Sequence, residues 1–238
     1  MNREGASDFS PRGEAPLIVD NLKSVTQRIA RCCERSGRPE SAVKLVCVTK
    51  EADIEDIQTA ILAGVTDIGE NRVQDAALKY KAIGNRVVWH LIGHLQTNKA
   101  KDAVKIFSLI HSVDSLRIME AIDKEARKIG KVQDVLVQVN VSGEGTKFGA
   151  RPEDVDGILE ESALYSNINI KGFMTIAPET GDPGSVRKYF RALRELRDSM
   201  NSAREADYDA LSMGMTGDFE VAIEEGSTIV RIGRAIFS

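Results

Sequence analysis

The sequence predicts a single (β/α)8 barrel of the TIM type with an extra helix in front of its first strand. Three observations carry this expectation. Short apolar runs alternate with amphipathic stretches along most of the chain, and eight such runs stand out. Alternation of this kind implies parallel strands joined by right-handed crossovers, and eight units close into a barrel. The length of 238 residues, 42% of them hydrophobic and 29% charged, suits one domain with its own core. An open doubly wound sheet is the alternative. No G-x-G-x-x-G follows any strand-like run, so a dinucleotide crevice has no support.

Residues 1–16 mix Asn, Arg, Glu, Ser, Asp, Gly and Pro without an apolar stretch, and read as a mobile tail rather than a secretory signal. The barrel domain is then expected over 17–238. Leu22, Val25, Ile29 and Cys32 or Cys33 recur at helical spacing, and Gly37 and Pro39 end that helix. Strands are expected at 43–49, 66–69, 87–92, 106–112, 134–141, 168–174, 210–213 and 228–232. Helices are expected at 53–63, 71–83, 96–104, 115–129, 152–164, 184–205 and 217–225. The clearest of these is 184–205, which puts Val186, Phe190, Leu193, Leu196 and Met200 on one face.

Several functions lose support from composition. A formal net charge of −4 gives no electrostatic case for nucleic acid or an anionic membrane. No apolar run approaches the roughly 20 residues that span a bilayer. Cys32, Cys33 and Cys47 have neither metal nor disulfide spacing, so a reducing, cytoplasmic setting is expected. His90 and His94 would share a face on a helix, but they lie in a strand-like run and its exit, so zinc is not expected.

In a parallel barrel the chemistry stands at the carboxyl ends of the strands. Lys50 ends the first strand-like run, Val43 to Thr49. Alone it reads as a solvated strand-end lysine. Its amine is also a candidate for a Schiff base with an aldehyde, and the commonest such aldehyde is pyridoxal phosphate. The other exits contribute Glu70, Asn71 and Arg72; His90, Gly93 and His94; Met174 and Thr175; Ser212 to Gly217; and Arg231 to Arg234. The last two clusters, after strands 7 and 8, offer a hydroxyl and glycines where barrels recurrently bind phosphate. Tight turns alone would also account for those glycines. Arg231 is a charge inside an otherwise apolar terminal strand, Thr228 to Gly233. Such a charge needs a partner. A pyridine nitrogen would serve, and so would a buried carboxylate such as Glu70.

Val48-Thr49-Lys50, Ile68 to Gln74, Trp89 to Lys99, Gly172 to Ala177, Leu211 to Met215 and Gly226 to Gly233 together resemble the pyridoxal phosphate homeostasis protein family, also called the proline-synthetase co-transcribed homologue family. The resemblance runs from the first helix to the carboxyl terminus. It implies an alanine-racemase-type barrel that holds pyridoxal 5′-phosphate on Lys50, with Arg231 facing the pyridine nitrogen. It also implies that Ser212, the Met213 and Gly214 backbone, Gly233 and Arg234 hold the phosphate. Asn71 and His90 would line the pocket, and Met174 would lie near the ring. Where the family usually has threonine, this chain has Arg234, which either binds phosphate as a charged donor or turns outward. Ser238 stands where the family commonly has glycine.

The resemblance implies a homeostasis protein that stores, delivers or buffers the cofactor, without catalysis; a pyridoxal-phosphate-dependent amino-acid racemase is the alternative. Recipient apoenzymes are the partners so implied, and a monomer is expected. A racemase needs a base on each face of its cofactor. Lys50 can serve one face. Tyr80, Tyr165, Tyr189 and Tyr208 all fall in helices or before strand 7, so none is expected at the mouth. The chain ends about where the barrel closes, so no covering domain is expected. A phosphate-sugar enzyme with a lysine Schiff base is a third reading that fold analogy leaves open.

Overall fold

The computed structural model describes residues 15–145, 147–180 and 182–238. Eight parallel strands close in chain order into a barrel: β1 (Lys44–Val48), β2 (Asp67–Glu70), β3 (Val88–Leu91), β4 (Leu109–Val113), β5 (Gln133–Gln138), β6 (Ile168–Met174), β7 (Ala210–Ser212) and β8 (Ile229–Ile232). β8 pairs with β1 over Lys44↔Ile229 to Cys47↔Ile232, and this seam closes the ring. The crossovers carry α2 (Ile54–Leu62), α3 (Val73–Ile83), α4 (Ala100–Ile106), α5 (Leu116–Lys128), α6 (Val155–Ser162), α7 (Arg187–Arg204) and α8 (Phe219–Glu224). α1 (Ala15–Arg35) precedes the barrel, and α9 (Arg234–Phe237) follows it.

The expected architecture is the one observed. α1 begins at Ala15, so Ala15 and Pro16 are helical, and residues 1–14 of the expected tail lie outside the described residues. Ile106, expected to open strand 4, is instead the last residue of α4, and Phe107 caps it with its amide on Ala103 O. β5 stops at Gln138 rather than at 141, because Asn140 turns to bond Ala150 O and its amide side chain bonds Glu144 O. α9 was not expected as a helix; it is one turn, closed by Ile236 N and Phe237 N on Gly233 O.

Two cores result. Outward-facing strand residues pack against the helices: Cys47, Ile68, Trp89, Ile110, Val137, Phe173, Leu211 and Ile232 with Ile57, Met119, Phe190 and Phe219. The α7 face read from the sequence is there, with Val186, Phe190 and Leu193 buried and Leu196 and Met200 packed against them. Inside the ring, Val46, Leu136, Met174 and Ile229 form a separate apolar cluster. It closes the barrel below its mouth, as side chains from alternate strands do in this fold. α1 carries Ile18, Leu22, Val25, Ile29, Cys32 and Cys33 on its buried face, and Asn21 Nδ2 donates to Ile236 O at 3.2 Å, tying α1 to the carboxyl end. Burial raises the Cys47 thiol to about 12. No helix among the described residues is long and apolar enough to cross a membrane.

α7 is fastened to α8 by charge. Glu225 is 4% exposed and accepts from Arg187 at 3.0 Å, Arg191 at 3.1 Å and Arg194 at 3.1 Å. Burial pushes its carboxyl up, but the bonds from Arg191 and Arg187 outweigh that and leave it below the ordinary range. A depressed carboxylate stabilises the fold above its unfolded pKa, and that stabilisation is lost as pH falls through the folded value. Glu225→Gln should therefore cost about 2 kcal/mol at neutral pH, and less in acid. Urea unfolding at pH 7 and pH 4 checks both the cost and its narrowing.

Candidate functional site

The carboxyl mouth gathers the residues that the sequence singled out. Lys50 follows β1 directly. Its side chain is 47% exposed, and Nζ rests 3.2 Å from Glu51 Oε1. The backbone before it is clamped. Thr49 Oγ1 donates to Glu70 Oε1 at 2.6 Å, and Lys79 Nζ donates to Thr49 O at 2.5 Å and to Glu70 Oε1 at 2.7 Å. Glu70 is therefore the partner of Lys79 and Thr49, not of Arg231. It ends β2 on the outward face, opposite in parity to the inward Gly69, which corrects the pairing considered from sequence. Glu70 is fully buried, and its Oε2 makes no hydrogen bond among the described residues.

Arg231 lies on the inner face of β8, in register with Val46. It is 3% exposed. One guanidinium nitrogen donates to Ser212 Oγ at 2.6 Å and the other to Thr175 O at 2.9 Å. No carboxylate among the described residues pairs with it. Burial lowers Arg231 to about 10, opposed by the more distant charge of Asp218. Three of its five N–H donors therefore have no partner among the described residues.

Beneath it a polar chain crosses the barrel. Ser212 Oγ lies 2.8 Å from His111 Nδ1, His111 Nε2 lies 2.9 Å from His90 Nδ1, and His90 Nε2 lies 2.9 Å from Asp67 Oδ1. Lys44 Nζ donates to that same Asp67 oxygen at 2.8 Å, and Thr66 Oγ1 donates to the other at 2.7 Å. Burial raises the Asp67 carboxyl, and the bonds from His90, Lys44 and Thr66 more than reverse this, so it stays charged. Burial, with His90 and Arg231 nearby, holds His111 well below the usual histidine range, so its ring is neutral. The chain ends at the amino face of the barrel, where a cavity of about 830 Å³ is lined by Lys44, Thr66 and Asp67.

The loops after β7 and β8 are close-fitting. Gly214 has φ +95, and a Cβ there would meet Ala222 Cβ at 2.6 Å. A Cβ on Gly233 would meet Val48 O at 2.9 Å. Only glycine lets both loops approach this closely. α9 opens directly after Gly233, and the first amides of a helix have no intrahelical acceptor.

The expected site residues divide accordingly. Lys50, Asn71, Gly214, Arg231, Gly233 and Arg234 stand at or just below the mouth. Met174 is fully buried in the apolar cluster that floors it. His90 is buried one layer deeper and meets the mouth only through His111. The Met213 amide donates to Ile229 O at 3.1 Å and its side chain faces the outer core, so it offers no group to a phosphate. The Arg234 side chain is 69% exposed and points outward, 3.9 Å from Glu179. His111, Asp67 and Lys79 were not singled out from the sequence, whereas Thr216 lies in the Ser212 to Gly217 cluster and Thr49 in the run before Lys50. His111 reads as an ordinary strand residue, and period-2 counting from Leu109 is the one signal that would have turned it inward. Thr216, half-buried in the β7 loop, has a hydroxyl with no partner among the described residues.

The sequence profile of the family "Alanine racemase, N-terminal domain" matches residues 20–238. Fold and site thus define a protein of the alanine-racemase barrel class. More narrowly, the chain belongs to the pyridoxal phosphate homeostasis protein family. It is 45% identical over 219 residues to the member from Aquifex aeolicus, covering 92% of this chain and 96% of that one. It is 36% identical to the member from Pseudomonas aeruginosa over 92% of this chain and 94% of that one. Among solved structures it is similar to PipY of Synechococcus elongatus PCC7942 with PLP bound, at 32% identity and TM-score 0.81, covering 93% of this chain and 100% of that chain. An alanine racemase from Clostridium difficile shares the fold at 16% identity and TM-score 0.74, and the match covers 91% of this chain but 56% of the racemase.

The clamp on Thr49 generates a prediction. Lys79→Met leaves Glu70 as a buried carboxylate without its cation, at a cost of roughly 3–5 kcal/mol. Adding Glu70→Gln should recover most of that loss. Denaturant unfolding of the two variants checks the order.

Proposed function

We propose that this protein binds pyridoxal 5′-phosphate at the carboxyl mouth of its barrel and acts in vitamin B6 homeostasis, holding the cofactor for storage, delivery or buffering. The observation that carries the reading is Arg231, a buried guanidinium with no carboxylate and with unused donors. Such a group is costly unless a ligand completes its bonding. A pyridine nitrogen, an acceptor without charge, fits a site that has no acid to spare.

The other residues fit the same group. Lys50 stands at the exit of β1, half-exposed and fixed by a clamped backbone. Gly214, Gly233 and the opening amides of α9 suit the phosphate, with Asn71 at the rim and Met174 below the ring. Bound there, the cofactor supplies an aldehyde that a lysine amine captures reversibly. Arg234 contributes its backbone amide, since its side chain is turned away. The PipY relative with PLP bound supports the assignment at 32% identity. Delivery to recipient apoenzymes in the cytoplasm belongs to the same reading.

Arg231 also bears on turnover. At about 10 it stays protonated at neutral pH, so it donates to a ring nitrogen and leaves that nitrogen without a proton. An unprotonated pyridine is a weak electron sink. A second base is needed as well for racemisation, and neither Tyr80 nor Tyr208 is placed to supply it. Tyr80 packs on Trp89, and Tyr208 packs on Phe173 just before β7, at the opposite end from Lys50.

Two outcomes are expected. Borohydride reduction of protein incubated with pyridoxal phosphate should fix one pyridoxyl group, located by mass spectrometry on Lys50 and absent in Lys50→Ala. Full labelling of another lysine in that variant overturns the assignment. Incubated with L-alanine in heavy water, the loaded protein should exchange the α-hydrogen no faster than free pyridoxal phosphate. Rapid exchange that is lost in Lys50→Ala would instead establish the racemase reading.

A further inference from the structure

We propose that His111 and Ser212 are positioning residues for Arg231, and that the carboxylate of Asp67 at the far end of the barrel sets the direction of the hydrogen bonds that hold it. The proposal rests on the reading of the mouth as a pyridoxal phosphate site. It reassigns Ser212 from the phosphate to the arginine.

Donor counting carries the direction through the chain once His90 is neutral. Asp67 is charged and can only accept, so His90 Nε2 carries a proton and donates to it. In the direction proposed, His90 is the neutral ring: its Nδ1 accepts, and the proton between the two rings belongs to His111 Nε2. His111 is neutral, and its Nδ1 therefore accepts. Among the described residues, the one donor bonded to that nitrogen is the Ser212 hydroxyl. Ser212 has one proton, and His111 takes it. Its oxygen is left as an acceptor, and Arg231 fills it at 2.6 Å. Every link from Asp67 to Arg231 is then satisfied, with all bonds running toward the carboxylate.

The alternative differs by one proton. A protonated His90 would donate to His111, which would donate to Ser212, and the serine proton would be free for a phosphate. In the proposed direction Ser212 has no proton to offer a phosphate and is fully buried. What it does instead is fix the guanidinium, together with Thr175 O. The plane of Arg231 is thereby set by groups that never touch the cofactor.

Two measurements test this. The first needs neither cofactor nor variant: ¹⁵N shifts of histidine-labelled protein should show His90 and His111 both as the neutral Nε2–H form. A His90 imidazolium, or an Nδ1–H form of His111, overturns the proposal. The second compares affinities for pyridoxal phosphate and for unphosphorylated pyridoxal. Ser212→Ala and His111→Gln should weaken both ligands by the same factor, about tenfold, because the lost group serves the ring and not the phosphate. His111→Asn, whose Oδ1 replaces the accepting Nδ1, should stay within about twofold of the wild type. Loss confined to the phosphorylated ligand would restore Ser212 as a phosphate contact and refute the proposal, as would equal behaviour of the Asn and Gln variants. If these variants do not fold, the shifts of the wild type decide. If the wild type itself fixes no pyridoxyl group on Lys50, the reading of the mouth fails, while the shifts still report the direction of the chain.

Discussion

Arg231 stands on the last strand with its guanidinium inside the ring, held by one hydroxyl and one carbonyl. A buried cation without an anion is costly in any fold. Here the surroundings are arranged to make it tolerable. Ser212 and Thr175 orient it, and the charge of Asp218 opposes the lowering of its pKa by burial. The half of the interior beneath it is polar, running through His111 and His90 to Asp67. The other half is apolar, with Val46, Leu136, Met174 and Ile229. The barrel interior is thus divided between a plug and a bonded chain, and the mouth opens above both.

Two buried carboxylates of the barrel strands are paired with groups other than Arg231. Asp67 pairs with Lys44 and His90 at the amino end. Glu70 leaves the ring and pairs with Lys79 outside it. Neither is available to neutralise Arg231 or to protonate a ring nitrogen. On the proposed reading, this separation of charge suits retention of a neutral pyridine acceptor better than carbanion chemistry, which draws on a pyridinium. The same economy appears on the outside of the barrel, where Glu225 alone gathers three arginines of α7 and locks helix to helix.

Much of the fold was legible because its signals are local. Short apolar runs between amphipathic stretches mark strands and helices without any tertiary information. Boundaries shifted where a cap or side-chain bond intervened, as at Ile106 and Asn140. The mouth was legible for a related reason: barrel strands end at known places in the sequence, so Lys50, Asn71, Gly214, Arg231 and Gly233 could be collected by position. Ser212 is collected in the same way, by its place at the end of β7.

The sequence by itself determined the number and order of the strands, the lysine at the first exit and the anomalous arginine in the last strand. These depend on periodicity and on single residues out of place, both of which a linear chain displays. Only the tertiary structure decided what each polar group faces. Asp67, His90, His111, Ser212 and Arg231 come from five strands, and Asp67 is 164 positions from Arg231 in the chain. Ring closure brings them within hydrogen-bond distance, and the inward or outward parity of each strand selects them. Glu70 and Gly69 are neighbours in sequence, yet parity sends one to Lys79 outside and the other to the interior. Partners across a closed ring are set by register, and register is a property of the sheet rather than of any segment in it.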